Sequence, residues 1–227
     1  MMVGTILLHA GLIVAAYLLG SISNAVWVGN LLYSTDVRKH GSKNAGATNV
    51  LRVLGWKAAL PVFLLDMAKG AAAVLLVFVA GYTRETNPFV GFQIVLGLTA
   101  MLGHIFPIFA SFKGGKGVAT IAGVITAIHP SAMLITFAIF ALCLVITHYV
   151  SLSSIIAACC FPFLVIVVFG RWLNVHETLT LQLFSLAATA IILVTHRKNI
   201  RRLRTGEEPK IYIRKRPSIP VEVMNDK

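Results

Sequence analysis

Long apolar runs broken by short polar, glycine-bearing islands set the pattern of this chain. The first 35 residues contain no Asp, Glu, Lys or Arg, and further apolar segments follow at 58–81, 88–105, 117–129, 130–149, 155–170 and 178–195. Runs of about 18 or more apolar residues let a helix cross hydrocarbon, where every backbone group must be bonded within the segment. The pattern therefore predicts an all-α, polytopic integral membrane protein with about seven transmembrane helices. The 117–129 run is short of a full crossing at about 1.5 Å per residue, so five spans with a re-entrant pair is the alternative. The uncharged start lacks the positive beginning of a secretory signal and reads as an uncleaved membrane helix.

Composition agrees: 57% of residues are hydrophobic and 12% charged, against about 25% charged in a soluble domain. With a mean hydropathy of +0.84, a water-soluble globule is excluded. Lys and Arg number 20 against 8 Asp and Glu, a formal charge of +12. On a soluble chain that excess would suggest nucleic acid. Here the cations lie between apolar runs, where they meet lipid headgroups or a polyanionic substrate, so membrane lipid is an expected partner and nucleic acid is not. Arg38, Lys39, Lys43, Arg52, Lys57, Lys113, Lys116 and the tail after His196 fall on one side of a seven-crossing topology, and Arg84 and Arg171 on the other. The positive-inside rule then puts the amino terminus outside and the carboxyl terminus in the cytoplasm. Residues 1–196 form one membrane domain and 197–227 a basic cytoplasmic tail. Cys143, Cys159 and Cys160 lie in apolar stretches and suggest neither disulfide nor metal.

Four islands face the cytoplasm on this topology: GSKNAGATN at 41–49 with Arg52, FKGGKGVAT at 112–120, THYVSLSS at 147–154 and HRKNIRRLRTGEE at 196–208. Polar groups near membrane depth are costly unless they serve a ligand or a pathway, and four on one side point to one site. In FKGGKGVAT, glycines bare the backbone, a helix amino terminus follows, and Lys113 and Lys116 add charge, which together suit an anion, best a phosphate. A plain turn with two solvated lysines is the alternative. It is no Walker A loop, because no glycine opens the motif and no hydroxyl follows Lys116. Ser42, Asn44, Thr48, Asn49 and Arg52 supply hydroxyls, amides and a planar fork suited to phosphate, or else a capped helix start. Ser151, Ser153 and Ser154 begin a helix, where serine commonly caps. His196 and Asn199, three apart, share a helical face and form either part of the site or a helix-end cation with its neighbour. Asp66 and Lys69, three apart in the second span, read as a buried ion pair. The seven histidines show no metal-ligand spacing, and none precedes an Asp by five residues as in common glycerolipid acyltransferases.

Taken together, GSISNA at 20–25, GSKNAGATNVLRVLG, LGHIFPIFASFKGGKGVAT, YVSLSSI and HRKNIRRLRTGEE resemble the PlsY family of bacterial acyl-phosphate:glycerol-3-phosphate acyltransferases over nearly the whole chain. The resemblance implies about seven helices in the bacterial cytoplasmic (inner) membrane and an outside amino terminus. It implies transfer of a fatty acyl group from acyl phosphate to the sn-1 hydroxyl of glycerol 3-phosphate, giving lysophosphatidic acid and phosphate, with no cofactor and no metal. Carried over, the catalytic positions are Ser42, Arg52, Lys116, Ser154, His196 and Asn199. Asn44, Thr48, Asn49, Lys113, Gly114, Gly115 and Gly117 are the substrate-binding positions, and Glu207 matches a structural one. Lys43 departs from the family's usual glycine, as either a side chain reaching for headgroups or a third cation for phosphate. The rival reading, a membrane organophosphate or anion transporter, requires polar groups along a path to both faces.

Overall fold

The computed structural model describes residues 2–84, 86–173 and 178–211, and the regular structure within them is helical. α1 (Met2–Ser21) is apolar on all sides and buries only Leu12, Ala16, Gly20 and Ser21, a stripe of four-residue spacing that leaves the rest to lipid. The uncharged opening is two helices: the chain breaks at residues 22 and 23 and resumes as α2 (Asn24–Tyr33). The Ile22 carbonyl freed by the break accepts a hydrogen bond from Lys69 Nζ at 2.6 Å. A short amphipathic α3 (Ala47–Leu54) follows, then α4 (Trp56–Leu75) and α5 (Asn87–Ile105).

α6 (Val118–Ile128) leads through His129 into α7 (Pro130–Thr147), and α8 (Val150–Phe163) widens into a π-helix over Leu164–Trp172 just after Pro162, which has no N–H to donate. α9 (Leu179–Thr195) and α10 (Arg197–Arg204) are bent 61° apart at His196. By length and composition, Met2–Ser21, Trp56–Val79, Asn87–Ala110, Pro130–Thr147 and Val150–Trp172 can cross a membrane, and the bent α9–α10 pair makes a sixth. The seventh apolar segment is α6, whose 11 residues reach about 16 Å, roughly half a bilayer core. Of the tail, residues 212–227 lie outside the described residues.

Helices attract little hydrophobically inside lipid, so close backbone packing on small residues must hold them together. Gly70 of α4 abuts the backbone of Thr120, and Gly123 of α6 abuts that of Met67; Gly20 and Gly103 join α1 to α5 in the same way. One core, with Val74, Met101, Val124, Phe161, Val165 and Phe184, fills the space between α4, α5, α6, α8 and α9. A second, with Val26, Val37, Val50, Val53 and Val62, sits beneath the first polar island and fixes it. Outward faces carry Leu31 (78% exposed), Leu134 (71%) and Val145 (73%), an apolar belt expected to meet lipid.

Candidate active site

The four islands converge at one end of the bundle on a cavity of about 520 Å³. Ser42 and Arg52 enter from the α2–α3 connection and α3, Lys116 from the loop before α6, Ser154 from the first turns of α8, and His196 and Asn199 from the α9–α10 bend. All six expected catalytic positions therefore line one space. Asn44, Thr48, Asn49 and Gly117 line it too, as do Asp66, His104 and Glu208.

A carboxylate hub organises the rear wall. Glu208 Oε1 accepts hydrogen bonds from Ser151 Oγ (2.8 Å) and Asn199 Nδ2 (2.7 Å), and its Oε2 pairs with Arg202 Nε at 2.7 Å. Asn199 Oδ1 in turn accepts from Lys116 Nζ at 2.6 Å, so one acidic residue aims both the amide and the ammonium. Burial alone would raise the Glu208 carboxyl, but hydrogen bonds from Asn199, Ser151 and Arg202 hold it below its ordinary range. Glu207 is exposed and Glu208 only 5% so; the structural carboxylate expected at 207 stands one position later. The -GEE- pair offered both residues, and only the turn after α10 decides between them. Ile211 N–H closes this strap onto the His148 carbonyl at 2.8 Å.

Lys116 and Arg52 bring positive charge to the cavity from opposite islands. Burial pushes the Lys116 ammonium down to about 8, with Glu208 pulling it up and Arg202 and Arg52 pressing it further down. That is the environment of a cation waiting for an anion. His196 is 2% exposed and its Nδ1 donates to the Ile192 carbonyl at 2.8 Å, which leaves Nε2 of the neutral ring as the acceptor. Ser154 Oγ donates to the Val150 carbonyl, and its lone pairs stay available.

Not every expected binding position lines the cavity. Lys113 is exposed, and Lys113, Gly114 and Gly115 are not part of the cavity lining. Gly115 N–H already donates to the His104 carbonyl at 3.1 Å, and a Cβ at 114 or 115 would overlap the end of α5. These glycines let the loop lie against α5 and so set where Lys116 points. Gly117 has φ +83° and caps α6, a left-handed position that favours glycine. Asn49 accepts from Ser42 N–H and Oγ and donates to the Val37 and His40 carbonyls; its capacity is spent on holding Ser42. Asn44 reaches across to the Gly114 carbonyl at 3.4 Å. Lys43 adopts φ +58° and is exposed, away from the lining, so no third cation enters the cavity from there.

The expected Asp66–Lys69 pair is present at 2.9 Å, and it contains more than two partners, since Asn24 and His104 join it. Neither partner was legible beforehand, because both lie far from Asp66 along the chain.

An apolar groove leads away from the cavity between α4, α6, α7, α8 and α9, sharing Phe63, Val118, Phe137, Phe140 and Ser154 with it. The hydroxyls along it are turned to backbone: Thr136 donates to the Ala132 carbonyl and Thr189 to the Ala158 carbonyl. A charged head space joined to an apolar channel suits an amphiphile with an anionic head.

The sequence profile described as Glycerol-3-phosphate acyltransferase matches residues 10–206. Proteins named glycerol-3-phosphate acyltransferase from Chlorobaculum parvum and Chlorobaculum tepidum are 39% and 40% identical, covering 90% and 88% of this chain and 97% and 95% of theirs. Among solved structures, PlsY, an integral membrane glycerol 3-phosphate acyltransferase, is similar in its glycerol 3-phosphate form (TM-score 0.77) and its lysophosphatidic acid form (0.76), each 34% identical over 90% of this chain and 96% of that one.

Proposed function

This chain belongs to the glycerol-3-phosphate acyltransferase family, and from that premise we propose that it transfers a fatty acyl group from acyl phosphate to the sn-1 hydroxyl of glycerol 3-phosphate, yielding lysophosphatidic acid and inorganic phosphate. The observation that carries this reading is the joined pair of spaces: a cavity bearing Arg52 and Lys116 that opens into a groove of apolar side chains. Both substrates bring a phosphate, and one of them also brings a tail.

Acyl phosphate is already activated, so the protein need supply no covalent nucleophile. Its work is to hold two phosphates and a carbonyl in attack geometry and to stabilise the charge that develops on the carbonyl oxygen and the departing phosphate. In this reading Arg52 and Lys116 hold phosphates, and Ser42, Ser154 and Asn199 position the reactants. The proton of the attacking hydroxyl leaves to His196 Nε2 or to an oxygen of the bound acyl phosphate. The hydroxyl oxygen bonds to the acyl carbon as the acyl–phosphate bond breaks, and phosphate departs with the electron pair.

The Lys and Arg asymmetry supports a cytoplasmic site with the amino terminus outside. A cysteine introduced at Thr86 should then react with an impermeant thiol reagent from outside; reaction only from within would overturn the orientation. A transporter would want a polar route to both ends, whereas the polar lining here gathers at one.

The test is direct. Purified protein incubated with palmitoyl phosphate and glycerol 3-phosphate should release lysophosphatidic acid, and acyl-CoA or acyl carrier protein should not replace the donor. Comparable rates with acyl-CoA would remove the proposed donor.

A further inference from the structure

One cluster lining the cavity has no part in the chemistry above. Asp66 of α4 is 1% exposed, Lys69 6% and His104 of α5 6%. Ionisable groups at such depth in a membrane helix are costly and usually serve a ligand or a pathway. Asp66 Oδ1 takes a hydrogen bond from Asn24 Nδ2 and one from Lys69 Nζ, both at 2.9 Å, and lies 3.6 Å from His104 Nδ1. Lys69 is further tied to the Ile22 carbonyl. Asp66 and Lys69 thus neutralise and anchor each other, and the carboxylate also orients the imidazole.

With Nδ1 facing the carboxylate, Nε2 is the remaining polar atom of the ring. Nε2 makes no hydrogen bond among the described residues, and what stands beside it is Gly115, where any Cβ would overlap it. Glycine at 115 therefore lets the loop that carries Lys116 lie close against that edge of the ring. The next residue is Lys116, and both Lys116 and His104 line the one cavity.

We propose that His104, oriented by Asp66, forms a subsite for the secondary hydroxyl of the acceptor, the one that is not acylated. The inference rests on the proposed acceptor, glycerol 3-phosphate. Its phosphate lies with Arg52 and Lys116 and its sn-1 hydroxyl faces the acyl carbon. The remaining hydroxyl then needs a polar partner, and His104, backed by Asp66, is a polar side chain of the cavity lining to which the reaction above gives no role. A buried polar group placed to meet a hydroxyl discriminates against a substrate that lacks it, because the group is then left unpaired. His104 is on this account a binding residue and Asp66 a positioning residue.

The experiment compares glycerol 3-phosphate with 3-hydroxypropyl phosphate, which keeps the phosphate and the attacking hydroxyl and lacks the secondary one, using the full chain and palmitoyl phosphate. The wild type should favour glycerol 3-phosphate about tenfold to a hundredfold in kcat/KM. His104→Ala should lose most of that preference by falling on glycerol 3-phosphate alone, with kcat/KM for the deoxy acceptor and KM for palmitoyl phosphate held within about threefold. Asp66→Asn should move in the same direction by a smaller factor. Equal losses on both acceptors in His104→Ala would make the residue a support for the Lys116 loop and overturn the proposal, as would a wild type that treats the two acceptors alike. That second comparison needs no variant, and where His104→Ala does not fold, His104→Phe takes its place with the same expected loss on glycerol 3-phosphate alone. If neither acceptor is acylated, the enzymatic reading itself falls; a wild type that acylates both equally refutes the subsite alone.

Discussion

Lys116 sits with its ammonium pushed to about 8, first by burial and then by the balance of Glu208 against Arg202 and Arg52. The charged form attracts phosphate, so kcat/KM for glycerol 3-phosphate should hold below about pH 8 and fall as pH rises, roughly tenfold per unit once the amine is neutral. Bound phosphate favours the ammonium, so the limb in kcat lies at higher pH than the limb in kcat/KM. Lys116→Arg should move the alkaline limb out of range, because guanidinium keeps its proton; a limb unmoved by that change would assign the titration to another group. Lys116→Ala should cost about 1.5 to 3 kcal/mol, or roughly tenfold to a hundredfold in kcat/KM. Lys43 makes the opposite case. Its φ of +58° is a left-handed geometry costing a non-glycine residue about 1 to 2 kcal/mol, so Lys43→Gly should raise stability by about 1 kcal/mol. With the side chain exposed and outside the cavity lining, KM for both substrates and its salt dependence should match wild type. Thermal unfolding in detergent and KM at two ionic strengths measure both halves.

At the scale of elements, the half-length α6 joins the site to the bundle. Its amino terminus carries Lys116, and its length rests on Gly123 against the Met67 backbone and on Gly70 of α4 against Thr120. Gly123→Val should push α4 and α6 apart, costing about 1 to 3 kcal/mol as overpacking does, and shift Lys116 away from Asn199. The expected result is a lower unfolding temperature and a raised KM for glycerol 3-phosphate; unchanged values of both would mean that the contact is not tight. This element also shows what the sequence could and could not say. The shortness of 117–129 was legible, because crossing a bilayer needs about 20 residues whatever surrounds them. Island residues were legible for a similar reason: Ser42, Arg52, His196 and Asn199 are polar where polarity is expensive. The break at residues 22 and 23 was not, since Ser21, Ser23 and Asn24 can all sit within an uncharged helix and nothing local marks the Lys69 amine that takes up the freed carbonyl. Nor was the choice of Glu208 over Glu207, which depends on how one turn after α10 places its side chains. For Gly114 and Gly115 the sequence leaves two roles open, because a glycine needed to lie against a helix, as both do here, reads the same as one needed to lie against a phosphate.

Across the whole molecule, chain direction and cavity position together define where an acyl tail can go. The groove follows α8 from Ser154 to Phe161 and α6 from Val118 to Ile125, a rise of about 10 Å along each helix at 1.5 Å per residue. An extended chain advances roughly 1.2 Å per bond, taking three backbone bonds per ~3.6 Å residue, so this length holds about eight carbons. Phe161 lines the groove and meets Phe184 edge to face at 6.3 Å, and both residues are 2% exposed. With the proposed donor, a groove of this length takes the first carbons of the tail within protein and leaves later ones to lipid chains. Leaving lipid for an apolar groove brings little hydrophobic gain, so the groove acts through shape, rejecting what does not fit more than rewarding what does. Filling it should then separate donors by tail. Ala157 lines the groove beyond Ser154, and Ala157→Phe should lower kcat/KM for palmitoyl phosphate roughly tenfold to a hundredfold, the range of overpacking at about 1 to 3 kcal/mol. Butyryl phosphate, whose tail stops short of that level, should react as in wild type. Rates for both donors, with palmitoyl phosphate held at a fixed mole fraction of mixed micelles, give the ratio. A variant that loses both donors equally would place the damage in the bundle and not in the path of the tail, and one that keeps both would move the tail out of this groove.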